Sequence, residues 1–247
     1  MALLDIVTNN LPDGQVTQVC IGLHWTAVVV ENDSGRSCGL ATTLIPSGEH
    51  HGSADVPDAG SLTNKSAHEI IQTFGNVSQV MNSVAIATIN AVLPQTPSLW
   101  VDINAEDIIE KNGKEKKVVI VGSFPFVDRL REKVGQLVVI EKTPKPGEIP
   151  AERAPEFIPS ADVVAITGMT IINQTFEALF NLCSPKATVL VLGPSTPLCP
   201  ALFNHGLHLL SGSIVTNIDP VVKAVGQGAN FRQLHKIGVR LVTMSAQ

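Results

Sequence analysis

Lys117-Val-Val-Ile-Val-Gly-Ser-Phe-Pro-Phe126 is the stretch whose reading decides the fold. Its apolar, β-branched run from Val118 to Val121 makes a short strand buried on both faces, and Gly122 turns the chain at its end. Pro125 suits the first position of a following helix, because a first turn leaves that N–H unpaired anyway. Fifteen residues beyond the glycine, a second apolar run, Leu137-Val-Val-Ile140, is closed by Glu141. Strand, turn, helix and a second strand ending in an acid form the first half of a nucleotide-binding α/β unit. The loop reads Gly-Ser-Phe-Pro and not G-x-G-x-x-G, so the scaffold is legible while the ligand is not.

Downstream the same alternation continues. The pattern predicts a helix over Pro125–Val134 stopped by Gly135, and strands at Leu137–Ile140, Asp162–Ile166 and Thr188–Leu192. A helix over Ile171–Leu182 would bury Ile172, Phe176, Leu179 and Phe180. Further strands near His208–Leu210 and Val239–Thr243 flank a helix that Asp219 can cap, with Pro220 in its first turn. Short apolar strands separated by helices imply a mainly parallel sheet covered on both faces.

Upstream the pattern differs. Val16–Ile21, Trp25–Glu31 and Ser37–Leu44 read as an antiparallel meander with turns at Gly22 and Asn32-Asp-Ser-Gly35. Ser66-Ala-His-Glu69 has capping-box spacing, and Asn76 with Gln79 repeats it more weakly. The second helix puts Val77, Val80, Met81, Val84 and Ala87 on one stripe, enough to cover one face of the meander. The two-proline segment Leu93–Ser98 is the best linker. The expected organisation is an α+β domain over residues 1–96 and an α/β domain over 97–247.

Composition narrows the function classes. The 247 residues are 44% hydrophobic and 16% charged, which suits a sizeable buried core. A formal charge of −5 argues against nucleic acid as a partner, and the Lys111–Lys117 cluster reads as a solvated loop. No apolar run approaches the ~18 residues of a membrane span, and the N-terminus has no secretory pattern. Four dispersed cysteines without a Cys-x-x-Cys pair point to a cytoplasmic home. A homo-oligomer is compatible with the sequence, which offers no residue-level argument for an interface.

Ligands of open α/β sheets bind beyond the C-terminal strand ends. Four loops leave those ends, at Gly122–Pro125, Glu141–Pro146, Thr167–Thr170 and Gly193–Pro197, and each is dense in Gly, Pro, Ser or Thr. The Gly122 and Gly168 turns run into helix starts, where free N–H groups favour an anion. Glu141 could accept from a ribose diol, against the plain reading of a solvated strand-end carboxylate. Ser195 is balanced between ligand contact and turn chemistry. His50 and His51, with Glu49 and Asp55, are the weak metal candidates, adjacent histidines being poorly placed to share one ion. Cys199 beside the fourth loop is a soft donor or, more commonly, an inert buried thiol.

The motifs Val-Gly-Ser-Phe-Pro (121–125), Ile-Thr-Gly (166–168) before Asn173-Gln-Thr175, Leu-Gly-Pro-Ser-Thr-Pro (192–197) and Leu-Ser-Gly-Ser (210–213) resemble the putative heavy-metal chelation domain family. The N-terminal half, with Ile21-Gly22, the strand from Trp25 and Ile89-Asn90-Ala91, looks like the domain usually fused to it. The resemblance implies an enolase-N-terminal-like domain joined to a Rossmann-like domain, with the site in the cleft between them. Carried over by motif, that site takes in Gly122, Ser123, Phe124, Glu141, Thr167, Gly168, Gly193, Pro194, Ser195 and, across the cleft, Asn90; Thr196 adds a further hydroxyl. It implies a metal-related role, with a divalent or heavy metal ion as the associated cofactor, and leaves turnover open. Hydroxyls and amides outnumber strong metal donors in these loops, which favours a small anionic or metal-chelating ligand over a bare ion. Two alternatives stand beside that reading: an enzyme holding NAD or S-adenosylmethionine, and a non-catalytic interaction protein.

Overall fold

A computed structural model describes residues 2–46, 53–101 and 105–246. After a short helix, α1 (Leu3–Thr8), three strands form the expected meander: β1 (Gln15–Ile21), β2 (Trp25–Asn32) and β3 (Gly35–Thr42), antiparallel in the order β1-β2-β3. The central strand β2 is buried from Thr26 to Val30, without polar alternation. That pattern requires cover on both faces, and both faces are covered, as the core shows below.

Two helices follow. In α2 (Ala67–Ile71) the capping box forms as expected: Ser66 N–H donates to Glu69 at 2.7 Å, and Glu69 N–H donates back to the Ser66 hydroxyl at 3.3 Å. The long α3 (Gln79–Val92) starts later than the spacing suggested. Ser78, not Asn76, is its cap, accepting from Met81 N–H at 3.0 Å, and Val77 is left outside and exposed. Nor is α3 amphipathic: it is buried almost all round, because it lies between the meander and the second sheet.

The chain then builds an eight-stranded sheet from β4 (Trp100–Val101), α4 (Ala105–Gly113), β5 (Lys117–Val121), α5 (Val127–Leu130), β6 (Gln136–Glu141), β7 (Ile149–Pro150), α6 (Ala154–Phe157), β8 (Val163–Thr167), α7 (Met169–Ile172), α8 (Phe176–Phe180), β9 (Thr188–Leu192), β10 (Leu209–Val215), α9 (Ile218–Gly226), α10 (Phe231–Ile237) and β11 (Val239–Ser245). The strand order is β4-β11-β10-β9-β8-β5-β6-β7, parallel from β10 to β7, with β11 and β4 antiparallel at one edge. The connection from β5 runs to β6 on one side, and the later β8 lies on the other. That reversal opens a crevice beyond the ends of β5 and β8.

Several helical expectations shrink. Of Pro125–Val134 only Val127–Leu130 is α-helical, so Pro125 sits before the helix rather than at its first position. The helix over Ile171–Leu182 is two short pieces, broken at Gln174, whose φ is +62°. Asp219 does not cap α9; Asn217 holds that position, and Asp219 instead pairs with Arg36 at 2.9 Å. The edge strands β4 and β7, of two residues each, are too short to leave a periodic signal.

One core cluster runs through both sheets, joining Val28, Val30 and Ala41 of the meander to α3 and on to Val119, Val164 and Val191. The other meander face, carrying Ala27, Val29 and Leu40, packs against Val221, Val225 and Leu234 of α9 and α10. The far face of the large sheet is closed by Ile109 and Leu130. The C-terminal helices thus complete the N-terminal sheet. A junction this apolar and extensive opposes free hinge motion between the domains.

Candidate functional site

Three of the four strand-end loops meet where backbones can approach closely. Gly122 has a φ of +108°, and a Cβ there would lie 2.9 Å from Thr167 Cβ. A Cβ on Gly168 would lie 2.8 Å from Thr196 Oγ1 and 3.0 Å from Thr196 N. Both glycines therefore serve loop-to-loop contact. Their amides are engaged: Gly122 N–H donates to Ile140 carbonyl at 2.9 Å, and Gly168 N–H to Leu192 carbonyl at 2.7 Å. The helices that follow have four residues each. The sheet thus takes the amides of the two glycines themselves.

Ser195 marks the seam between the domains. The residue is 2% exposed, and its hydroxyl accepts from Thr42 N–H at 2.9 Å and lies 3.0 Å from Thr42 Oγ1. From α3, the Asn90 amide donates to Leu40 carbonyl at 3.0 Å and to Ser195 carbonyl at 3.4 Å. On the other side Ser213 Oγ donates to Pro194 carbonyl at 2.8 Å. The loop after β9 is thereby tied to the end of β3, to α3 and to β10. Among the described residues, the buried side-chain polar atoms without a partner are Trp25 Nε1, Asn90 Oδ1 and Thr196 Oγ1. All three belong to residues at this junction, where leaving a group unpaired costs about 1–3 kcal/mol.

Beside the seam a cavity of about 990 Å³ opens between the domains, at the upper end of the size of small-molecule sites. Of the residues expected to bind ligand, Ser123, Phe124, Thr167, Gly193, Pro194 and Ser195 line it. Asn90 and Thr196 instead border a smaller space of about 190 Å³, which Cys38 also reaches. Gly122, Gly168 and Glu141 border neither. The Glu141 carboxylate accepts from the Lys142 N–H at 3.0 Å, the ordinary behaviour of a strand-end acid. His50 and His51 lie outside the described residues.

Sequence reasoning missed the opposite walls. Trp25 and Thr42 come from the ends of meander strands, Trp100 from β4, Phe231 from α10, and Arg240 and Thr243 from β11. A usable signal was present: the chain has only two tryptophans, and both are here. At the rim, Arg129 grips Glu106 through two bonds of 3.0 and 2.5 Å. The hydrogen bond from Arg129 holds the Glu106 carboxyl below its ordinary range, and the same bond raises Arg129. Arg240, exposed on the same cavity wall, has no ion-pair partner among the described residues.

Among the described residues, the donor set does not fit a bare soft metal ion. No group of three or more His, Cys, Asp or Glu able to hold a metal occurs among the described residues. All four cysteines are free thiols, and burial raises each of them, Cys38 to about 12 and Cys183 to about 11. A thiol must lose its proton to ligate. Cys199 is buried, and burial raises its thiol.

Family models described as putative heavy-metal chelation match residues 4–93 and 104–244. The second match, to the family DUF364, covers more than half of the chain. The chain belongs to this family. A crystal structure of a DUF364 protein of unknown function from Desulfitobacterium hafniense superposes with a TM-score of 0.79 at 25% identity, covering 99% of this chain and 97% of that one. A second member, from Pyrococcus horikoshii, gives 0.78 at 20% identity over 98% and 96%. An uncharacterized protein of Methanocaldococcus jannaschii is 22% identical over 223 residues, covering 87% of this chain and 85% of that protein. The fold expectation stands: an antiparallel α+β unit followed by a mainly parallel α/β unit. Among the described residues no helix is long and apolar enough to cross a membrane.

Proposed function

We propose that this DUF364 protein binds a small acidic, metal-chelating molecule in the cavity between its domains, taken as residues 1–96 and 97–247, and that metal reaches it already chelated. The carrying observation is a mismatch. The family description concerns metal, yet the described residues offer no cluster of three or more His, Cys, Asp or Glu, and their thiols are raised by burial, beside a large cavity with hydroxyls and two arginines. A chelate needs shape, hydrogen bonds and charge from its binder, and the metal's own ligands are supplied by the chelator. Free thiols support a reducing compartment such as the cytoplasm. The nucleotide-cofactor reading loses its motivating residue, because Glu141 does not line the cavity.

Isothermal titration with ferric ion, with citrate and with ferric citrate tests this. The expected outcome is heat from the chelate and none from the ion alone. Ser123→Trp, an exposed position on the cavity wall, should abolish binding without changing thermal stability. Stoichiometric binding of the bare ion, or unaltered chelate binding in Ser123→Trp, would refute the proposal.

A further inference from the structure

We infer that the ligand of this cavity carries a flat aromatic ring system with an acidic group, the ring lying against aromatic walls and the acid facing Arg240. The inference rests on the ligand reading above and narrows its chemical class.

The distribution of aromatic residues supports it. The chain has two tryptophans, eight phenylalanines and no tyrosine. Both tryptophans and three of the phenylalanines, Phe124, Phe126 and Phe231, line this one cavity. All five are half-buried, neither sealed in the core nor scattered on the surface. They come from separate parts of the fold: β2, the segment after β5, β4 and α10. Their arrangement follows ring geometry. Phe124 stacks on Phe126 with centroids 5.2 Å apart and planes 16° from parallel, and Trp25 meets Phe231 at 5.5 Å, tilted 55°. Two such aromatic pairs and Trp100 lining one cavity favour a flat conjugated guest, which gains from stacking as well as from burial.

Charge sets the polar end. Arg129 is held by Glu106 in a two-bond pair, so its guanidinium is committed. Arg240 is the cavity-lining cation without an ion-pair partner among the described residues, and a planar guanidinium matches a carboxylate or phosphate fork. The Ser123 hydroxyl and the Thr167 O–H can serve ring substituents. Aliphatic chelators share the acid but cannot use the ring faces.

Both tryptophans line the cavity, so their intrinsic fluorescence reports occupancy. Three metal-free probes separate the sources of the chemistry: hydroxynaphthoate, a fused-ring ortho-hydroxy acid; adenosine monophosphate, a nucleotide; and citrate, an acid without a ring. Affinities come from fluorescence titration, checked by calorimetry. A ring-bearing acid should bind at least about tenfold tighter than citrate. Phe231→Leu and Trp100→Leu keep apolar bulk while removing a ring face, and each should weaken that probe several-fold. Arg240→Ala should weaken it about tenfold, with citrate losing affinity in proportion. Preference for the nucleotide over hydroxynaphthoate would assign the ring to a base and uphold the inference. Citrate binding as tightly as both ring acids would overturn the aromatic class while leaving the chelate reading intact. Ring-acid affinity unchanged in all three variants, with their thermal unfolding unaltered, would overturn the placement.

Discussion

Two regions lie side by side along the domain junction and use their polar groups in opposite ways. At the seam, Ser195, Thr42 and Asn90 bond to each other and to neighbouring backbone, across contacts that leave no room for a Cβ on Gly168. In the cavity next to it, Ser123, Thr167 and Arg240 stand on walls that enclose about 990 Å³. The seam fills the junction with bonds, and the cavity leaves open space beside it. A hydroxyl in a motif loop is informative about ligand only when its hydrogen bonds are not already made within the protein.

The sharpest way to break this contrast is at the glycines. Gly168→Val drives a side chain into Thr196 at the seam and should destabilise the protein by about 1–3 kcal/mol. Gly193→Ala, at the cavity edge, meets nothing closer than 4.0 Å but keeps a φ of +114°. It should cost about 1–2 kcal/mol through backbone strain alone. Urea denaturation midpoints measure both, and a Gly168→Val protein as stable as wild type would remove the close-packed seam.

The serines give a smaller margin. Ser195→Ala strands the Thr42 N–H, with an expected loss of about 1–2 kcal/mol. Ser123→Ala, at an exposed cavity position, should stay within about 0.5 kcal/mol. Equal losses at the two sites would mean that the seam bonds hold nothing together.

The smallest effect belongs to the rim pair. Glu106 pairs with an exposed Arg129, so Glu106→Gln should cost under about 1 kcal/mol at neutral pH. Its folded pKa lies below the ordinary 4.5, so the contribution is present above about 4.5 and disappears as pH falls through the depressed value. Wild type and variant should therefore converge in stability in strong acid. A gap that widens on acidification would contradict the assigned pairing.

How much of this was legible beforehand follows from the range of each signal. The strands β5, β6, β8 and β9 announced themselves, since buried parallel strands are apolar runs. The Ser66 cap was readable because its two partners are three residues apart. The β9 loop was located by its composition, but Ser195's partner is Thr42, 153 residues away, and no local pattern encodes that pairing. Glu141 ended its strand as expected, yet its reach depended on where β6 sits in the sheet, which only topology decides. Phe124 was within reach of its motif loop, but Trp25, Trp100 and Phe231 belong to three other elements, and only the fold brings them to it.

The central claim is that metal enters this protein inside a chelate held by the domain cavity. Anomalous diffraction from a crystal soaked in ferric hydroxynaphthoate tests it most directly. The account predicts one iron peak within the cavity between Trp100 and the Ser195 loop, coordinated by the chelator's oxygens and by no protein thiol or imidazole. An iron peak bound directly to histidine or cysteine side chains, with the cavity empty, would contradict it.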